Sequence, residues 1–238
     1  MLLKAWSNLA TTPLSAAIGV KLQYWGGQFR DGVGSPLADK WLRKGWMADQ
    51  WRFFKAWREN PKGIGAVLPS SPALAAAITR EISSDGGPVI ELGSGTGVFT
   101  RALRARGVAE DELTLVEMDR GFAQSLRREF PQAHVCCTDA ARLAGEPLFY
   151  GQSAGAVVCG LPLLNMPLRT QVGILRGSFS QLRTGGAFYL FTYGLRCPVP
   201  QRVLDCLGLR ARRMQTVMLN VPPAHVWKLT RRASRNAL

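Results

Sequence analysis

Short apolar runs alternate with amphipathic stretches through the middle of this chain. The runs at 89–92, 113–118, 133–137, 156–160 and 187–193 have the length and composition of buried strands. Between them, 99–106, 121–130 and 168–182 read as helices. Strands that alternate with helices predict a parallel sheet covered on both faces. The alternation breaks near the end, where 213–221, Pro222-Pro223 and 225–229 predict two strands in an antiparallel hairpin at the sheet edge. Upstream, Ser70 or Ser71 is placed to cap a helix with Pro72 in its first turn, running to about Ser84 before Asp85-Gly-Gly-Pro88 ends it.

The first sixty residues follow a different pattern. Gly26-Gly27, Gly32, Gly34 and Pro36 break 1–36 into a loose arm. A helix is expected over 37–60, started by Ser35 and Pro36 and stopped by Pro61. On it, Ala38, Leu42, Trp46, Phe53, Ala56 and Trp57 share one side, and Lys40, Arg43, Lys44, Lys55 and Arg58 the other. Six of the seven tryptophans, Trp41 among them, fall in the first 57 residues, and Trp favours the head-group zone of a membrane. Residues 1–61 are therefore expected to form a basic, Trp-rich amphipathic arm that binds a membrane or serves as a lid, and 62–238 a single catalytic domain.

Charge sharpens this division. Residues 1–62 hold ten Lys/Arg against four Asp/Glu, and 201–238 hold eight against one, so the net +14 sits almost wholly at the two ends. Basic flanks around a neutral middle imply that an acidic surface is gripped while chemistry occurs between them, and both nucleic acid and anionic lipid qualify. Five cysteines without a C-x-x-C pair point to neither a disulfide framework nor a metal site, and a reduced cytosol is expected. No window of the sequence is apolar for long enough to span a bilayer, so any membrane contact is expected to be peripheral.

The candidate chemistry begins at Val89-Ile-Glu-Leu-Gly93-Ser-Gly95-Thr-Gly97, a strand running into a Gly-rich turn and then a helix. Glycines there let backbone approach a ligand, and the helix start offers free N–H groups. Glu117 ends the next strand twenty residues after Gly97, where a carboxylate accepts from both hydroxyls of an adenosyl ribose. Asp119 is expected to cap the helix that follows. Asp139, after the third strand, is placed either to accept from an adenine amino group or to cap the next helix. A dinucleotide fold would want its third Gly at position 98, which is Val.

Over roughly residues 62–232 these motifs resemble the class I S-adenosylmethionine (AdoMet)-dependent methyltransferases. The resemblance implies a Rossmann-like α/β fold with a seven-stranded, mostly parallel sheet and an antiparallel last strand. It also implies an AdoMet site, with S-adenosylhomocysteine as product, built from Leu68, Glu91, Gly93, Ser94, Gly95, Thr96, Gly97, Glu117, Met118, Asp139, Ala140, Gly160 and Leu161.

The acceptor is read after the fourth strand, in Cys159-Gly-Leu-Pro-Leu-Leu-Asn-Met-Pro167. The adenine N6-methyltransferases, ribosomal RNA dimethylases included, carry Asn or Asp, then Pro, then an aromatic there to hold a flipped-out base. Gly160 and Leu163 replace the amide and the aromatic. With 65–71 upstream and Asn220-Val-Pro-Pro-Ala-His-Val-Trp227 downstream, the segment is instead similar to bacterial phospholipid N-methyltransferases, which convert phosphatidylethanolamine toward phosphatidylcholine, and to their ornithine-lipid relatives. That resemblance implies a monomer on the inner face of the cytoplasmic membrane, with phospholipid as substrate and nucleic acid disfavoured. Trp41, Trp46, Phe53, Trp57, Pro162 and Leu163 would face lipid or substrate. Tyr193 and His225 are candidates to orient or deprotonate the amine, since an ammonium has no lone pair.

Overall fold

The computed structural model describes residues 71–144, 152–220 and 223–232. The arm at 1–61, with Trp41, Trp46, Phe53 and Trp57, lies outside the described residues, as does Leu68. In chain order the elements are α1 (Pro72–Ile78), β1 (Val89–Leu92), α2 (Val98–Ala105), β2 (Leu113–Val116), α3 (Arg120–Glu129), β3 (His134–Cys136), β4 (Ala154–Cys159), α4 (Leu168–Gln181), β5 (Leu182–Thr192), α5 (Gln201–Cys206), β6 (Leu209–Val217) and β7 (Ala224–Arg231). The strands form one seven-stranded sheet in the order β3-β2-β1-β4-β5-β7-β6. β1 to β5 run parallel, and β7 lies antiparallel between β5 and β6.

All four residues of β1 are buried because helices cover both faces of the sheet. On one face Ile90, Leu92, Val157, Phe188 and Leu229 pack against Ile174 and Leu175 of α4 and Val203 and Leu204 of α5. On the other Val89, Leu113, Val158 and Val226 meet Leu74 and Ile78 of α1, Phe99 and Leu103 of α2, and Leu126 of α3.

The ends of several elements differ from the sequence reading. Ser71 caps α1, accepting from Leu74 N at 3.2 Å, but the helix stops at Ile78 rather than near Ser84. Ile82 turns into the core, and the chain leaves the helix to bury it. β5 begins at Leu182, five residues early, because Leu182 pairs with Ala154 ahead of an irregularity in the ladder. β6 likewise begins at Leu209, whose partner is Arg231. The short helix α5, starting after Pro200, had not been expected from periodicity, since six residues are too few to show it.

Candidate active site

Strand order reverses at β1: β2 and β3 lie to one side, and β4 with the later strands to the other. In an open α/β sheet, such a switch point leaves a crevice at the carboxyl ends of the strands, where ligands bind. The Gly-rich turn leaves β1 at that crevice. Gly93, Gly95 and Gly97 all adopt positive φ (69°, 53° and 76°), a region that side-chain-bearing residues rarely enter. A Cβ on Gly93 would lie 2.5 Å from Leu161 Cδ2, and a Cβ on Gly160 would lie 2.9 Å from Gly93 O. The two loops therefore touch through their glycines, and Gly160 N donates to Leu92 O at 2.8 Å.

Glu117 locks the next strand tip to this turn. Its Oε2 accepts from Gly95 N at 2.9 Å and its Oε1 from Asp119 N at 2.8 Å. A carboxylate has about four lone-pair sites, so each oxygen keeps one for a second donor, such as a vicinal diol. Met118, next along, is 55% exposed beside this carboxylate. Asp119 caps α3, accepting from Gly121 N and Phe122 N. Asp139 caps the short turn Ala140–Arg142 through Oδ1 and Ala141 N at 2.9 Å, while its side chain stays exposed and Ala140 is buried. Both roles weighed for Asp139 are thus open to one residue.

Glu91 lies within the fold, at 0% exposure. Thr100 of α2 donates to its Oε2 at 2.6 Å, while Oε1 has no hydrogen-bond partner among the described residues. Burial pushes its carboxyl up to about 8, with Glu117 adding to the rise and Thr100 and Arg101 opposing it. Glu91 therefore braces the first turn of α2 from within the core.

The loop after β4 corrects one expectation. Leu163, assigned to the substrate surface, is 1% exposed and belongs to the core under α4. The turn Leu163–Asn165 points it inward and leaves Leu164 outside. Pro162 and Leu161 are half-buried on the crevice side of that turn.

Tyr193 and His225 do not form a pair. His225 stands opposite Thr192 in the ladder, with Trp227 on the α4/α5 face, whereas Phe191 and Tyr193 pack with the α1/α2 face. Alternation along the strands puts the two side chains on opposite faces. Tyr193 is packed edge-on against Phe191 at 5.6 Å, and burial raises its hydroxyl to about 12, with a hydrogen bond to Asn220 opposing. It is therefore a donor, not a base, near neutral pH. His225 is buried, and desolvation, then Arg213, lower its pKa, which favours the neutral ring. Its Nδ1 lies 2.9 Å from Thr216 Oγ1.

Three residues of this site were not singled out from sequence. Thr100 and Thr216 matter only through partners nine residues away in the chain, a separation with no signature of its own. Asn220 opens a motif that had been noted, without a role. It accepts from Ser71 N at 3.1 Å and bonds Tyr193, tying the approach to α1 to the tip of β5.

The geometry has known counterparts. The glycopeptide N-methyltransferase MtfA, solved in complex with AdoMet, superposes with a TM-score of 0.54 at 13% identity, covering 68% of this chain and 95% of that one. The fold is the class I methyltransferase fold. No family model matches the chain. It is 31% identical over 189 residues to a ribosomal RNA small subunit methyltransferase A of Anaeromyxobacter dehalogenans, an alignment that takes in 73% of this chain but only 62% of that relative's length. It is 29% identical over 151 residues to an ornithine lipid N-methyltransferase of Singulisphaera acidiphila, covering 61% of this chain and 79% of that protein. In the class I fold seen here, β7 between β5 and β6 accounts for the terminal hairpin read from sequence.

Proposed function

We propose that the chain binds AdoMet at the β1 turn and methylates the amine of a phospholipid head group, phosphatidylethanolamine and its mono- and dimethyl derivatives being the first substrates to test. The observation that carries the cofactor is Glu117 bonded to Gly95 N, which sets a carboxylate across the Gly-rich turn with acceptor capacity to spare. The tight Gly93–Gly160 approach fits a ligand lying along backbone. Gly93 to Gly97 and Glu117 would hold it, with Met118 and Asp139 beside its adenine. When bound, AdoMet supplies a methyl group on a sulfonium, which a neutral amine attacks in line.

The chain's own part is alignment of that amine. Tyr193, protonated well past neutral pH, orients the amine by accepting an N–H on its hydroxyl oxygen or through its ring face. His225 faces the other side of the sheet, bonded to Thr216, and does not share that amine with Tyr193. Replacing Tyr193 with Phe is expected to lower kcat/KM about tenfold while leaving AdoMet affinity within about twofold, roughly one lost hydrogen bond. Steady-state rates and calorimetry check it, and unchanged rates remove Tyr193 from the site.

Two points support a lipid acceptor. The amide and aromatic that grip a base are absent at 160 and 163, and Leu163 points into the core, so that position offers no stacking surface. The second is the likeness to an ornithine lipid N-methyltransferase. Ribosomal RNA adenine methylation is the second reading, favoured by the 31% identical relative. The proposed setting is the inner face of the cytoplasmic membrane, held peripherally, and no helix among the described residues is long and apolar enough to cross a bilayer. Labelled AdoMet offered with phosphatidylethanolamine, its methylated forms, ornithine lipid and ribosomal RNA, resolved by chromatography, is expected to label the ethanolamine lipids. Label on RNA alone would reverse the reading.

A further inference from the structure

Among the described residues, the large apolar side chains left exposed are Met118, Leu164, Leu168, Leu195, Met218 and Leu219. All lie at the carboxyl end of the sheet. Met118 follows β2, Leu164 and Leu168 follow β4, and Leu195 follows β5. Met218 and Leu219 form the tip between β6 and β7, and because β6 is parallel to β5 that tip also stands at the carboxyl end of the sheet. Among the described residues the connections at the opposite end expose none, the 145–151 connection into β4 lying outside them. Burying the two cores does not require this segregation, since isolated exposed apolar residues are ordinarily scattered.

Leu164, Leu195 and the Met218-Leu219 tip extend from neighbouring positions in the order β4-β5-β7-β6, over roughly 15 Å at about 4.8 Å per strand step. Met218 and Leu219 are 70% and 84% exposed and Leu195 66%, so they project rather than pack. Exposed side-chain charge at this end is predominantly positive. Arg120, Arg142, Arg169, Arg196 and Arg202 are exposed there, and none belongs to an ion pair among the described residues. The nearby Asp119 and Asp139 carboxylates are engaged by backbone N–H groups.

We propose that the carboxyl end of the sheet is a membrane-docking face, on which Leu195, Met218 and Leu219 enter the head-group region of an anionic phospholipid bilayer and the arginines rest against its phosphates. The inference rests on the lipid reading of the acceptor. Projecting apolar tips flanked by unpaired arginines complement an anionic leaflet, whereas nucleic acid offers such tips no apolar layer to enter. The Gly-rich crevice opens at the same end, so docking brings a head group to the cofactor turn without extracting the lipid from its leaflet. The N-terminal arm is unchanged in the comparison below.

The test uses the full chain and vesicles of equal parts phosphatidylglycerol and phosphatidylethanolamine, at one salt concentration. Met218→Ser with Leu219→Ser is expected to lower vesicle partitioning about tenfold, with an unchanged melting temperature because neither residue is buried. Leu195→Ser alone is expected to give a smaller loss in the same direction. Native partitioning by both variants overturns the proposal. So does a double variant that keeps vesicle binding but loses ribosomal RNA binding, or loses a concentration-dependent dimer in sedimentation, since the tip would then serve nucleic acid or a second copy. Methylation of phosphatidylethanolamine in detergent micelles separates this inference from the acceptor reading. Lipid methylation with vesicle binding insensitive to the tip sinks only the docking face, and tip-sensitive binding with no lipid methylated sinks only the acceptor.

Discussion

Glu117→Ala is expected to weaken AdoMet binding by roughly 100-fold or more, measured by calorimetry on the purified chain. The carboxylate already accepts from Gly95 N and Asp119 N. A ribose diol would add two bonds to a charged acceptor, and bonds of that kind contribute about 1.5–3 kcal/mol each. Losing both costs about 3 kcal/mol or more, and each 1.4 kcal/mol is tenfold. Alanine also frees Gly95 N from its only described partner, which loosens the turn. Glu117→Gln separates the two effects, because its single carbonyl oxygen still serves Gly95 while one diol partner becomes a donor. About a tenfold loss is expected for it. Native affinity in both variants would remove Glu117 from the nucleoside site.

The second large effect is a fall in stability of the free protein as pH rises from about 5 to 8, a fall that Glu91→Gln should reduce. An ordinary glutamate ionises near 4.5, whereas burial holds the proton on Glu91 up to about 8. Between those values the folded chain carries a proton that the unfolded chain has released. Stability from this group is therefore complete below about 4.5 and is lost as pH climbs through 8, at about 1.4 kcal/mol per unit. Gln resembles the protonated acid and does not titrate. The melting temperature of Glu91→Gln is thus expected to gain on that of the native chain as pH rises, by an amount worth a few kcal/mol across the window. Parallel curves would mean that Glu91 is ionised in the fold, with a cation or donor at Oε1.

These two carboxylates also show how far sequence carries. Glu91 and Glu117 stand at strand positions that periodicity and glycine spacing locate, and the structure puts Glu117 against the turn. Their environments were not legible. Glu91 is held by Thr100, and Glu117 by Gly95 and Asp119, through contacts that depend on how α2 and β2 lie against β1. Leu163 illustrates the opposite error. An apolar residue in a Gly- and Pro-rich loop reads as surface or core alike, and only the inward turn at Leu163–Asn165 decides for core.

Sequence by itself determined the alternation of strand and helix, the reversed terminal hairpin and the glycine turn, because backbone sterics and hydrophobic period act over a few residues at a time. Tertiary structure alone decided that Tyr193 and His225 face apart, that Asn220 joins α1 to β5, and that, among the described residues, the exposed apolar ones gather at the carboxyl end of the sheet. Those facts depend on which strands become neighbours and in what register, and residues tens of positions apart or more carry no local trace of that.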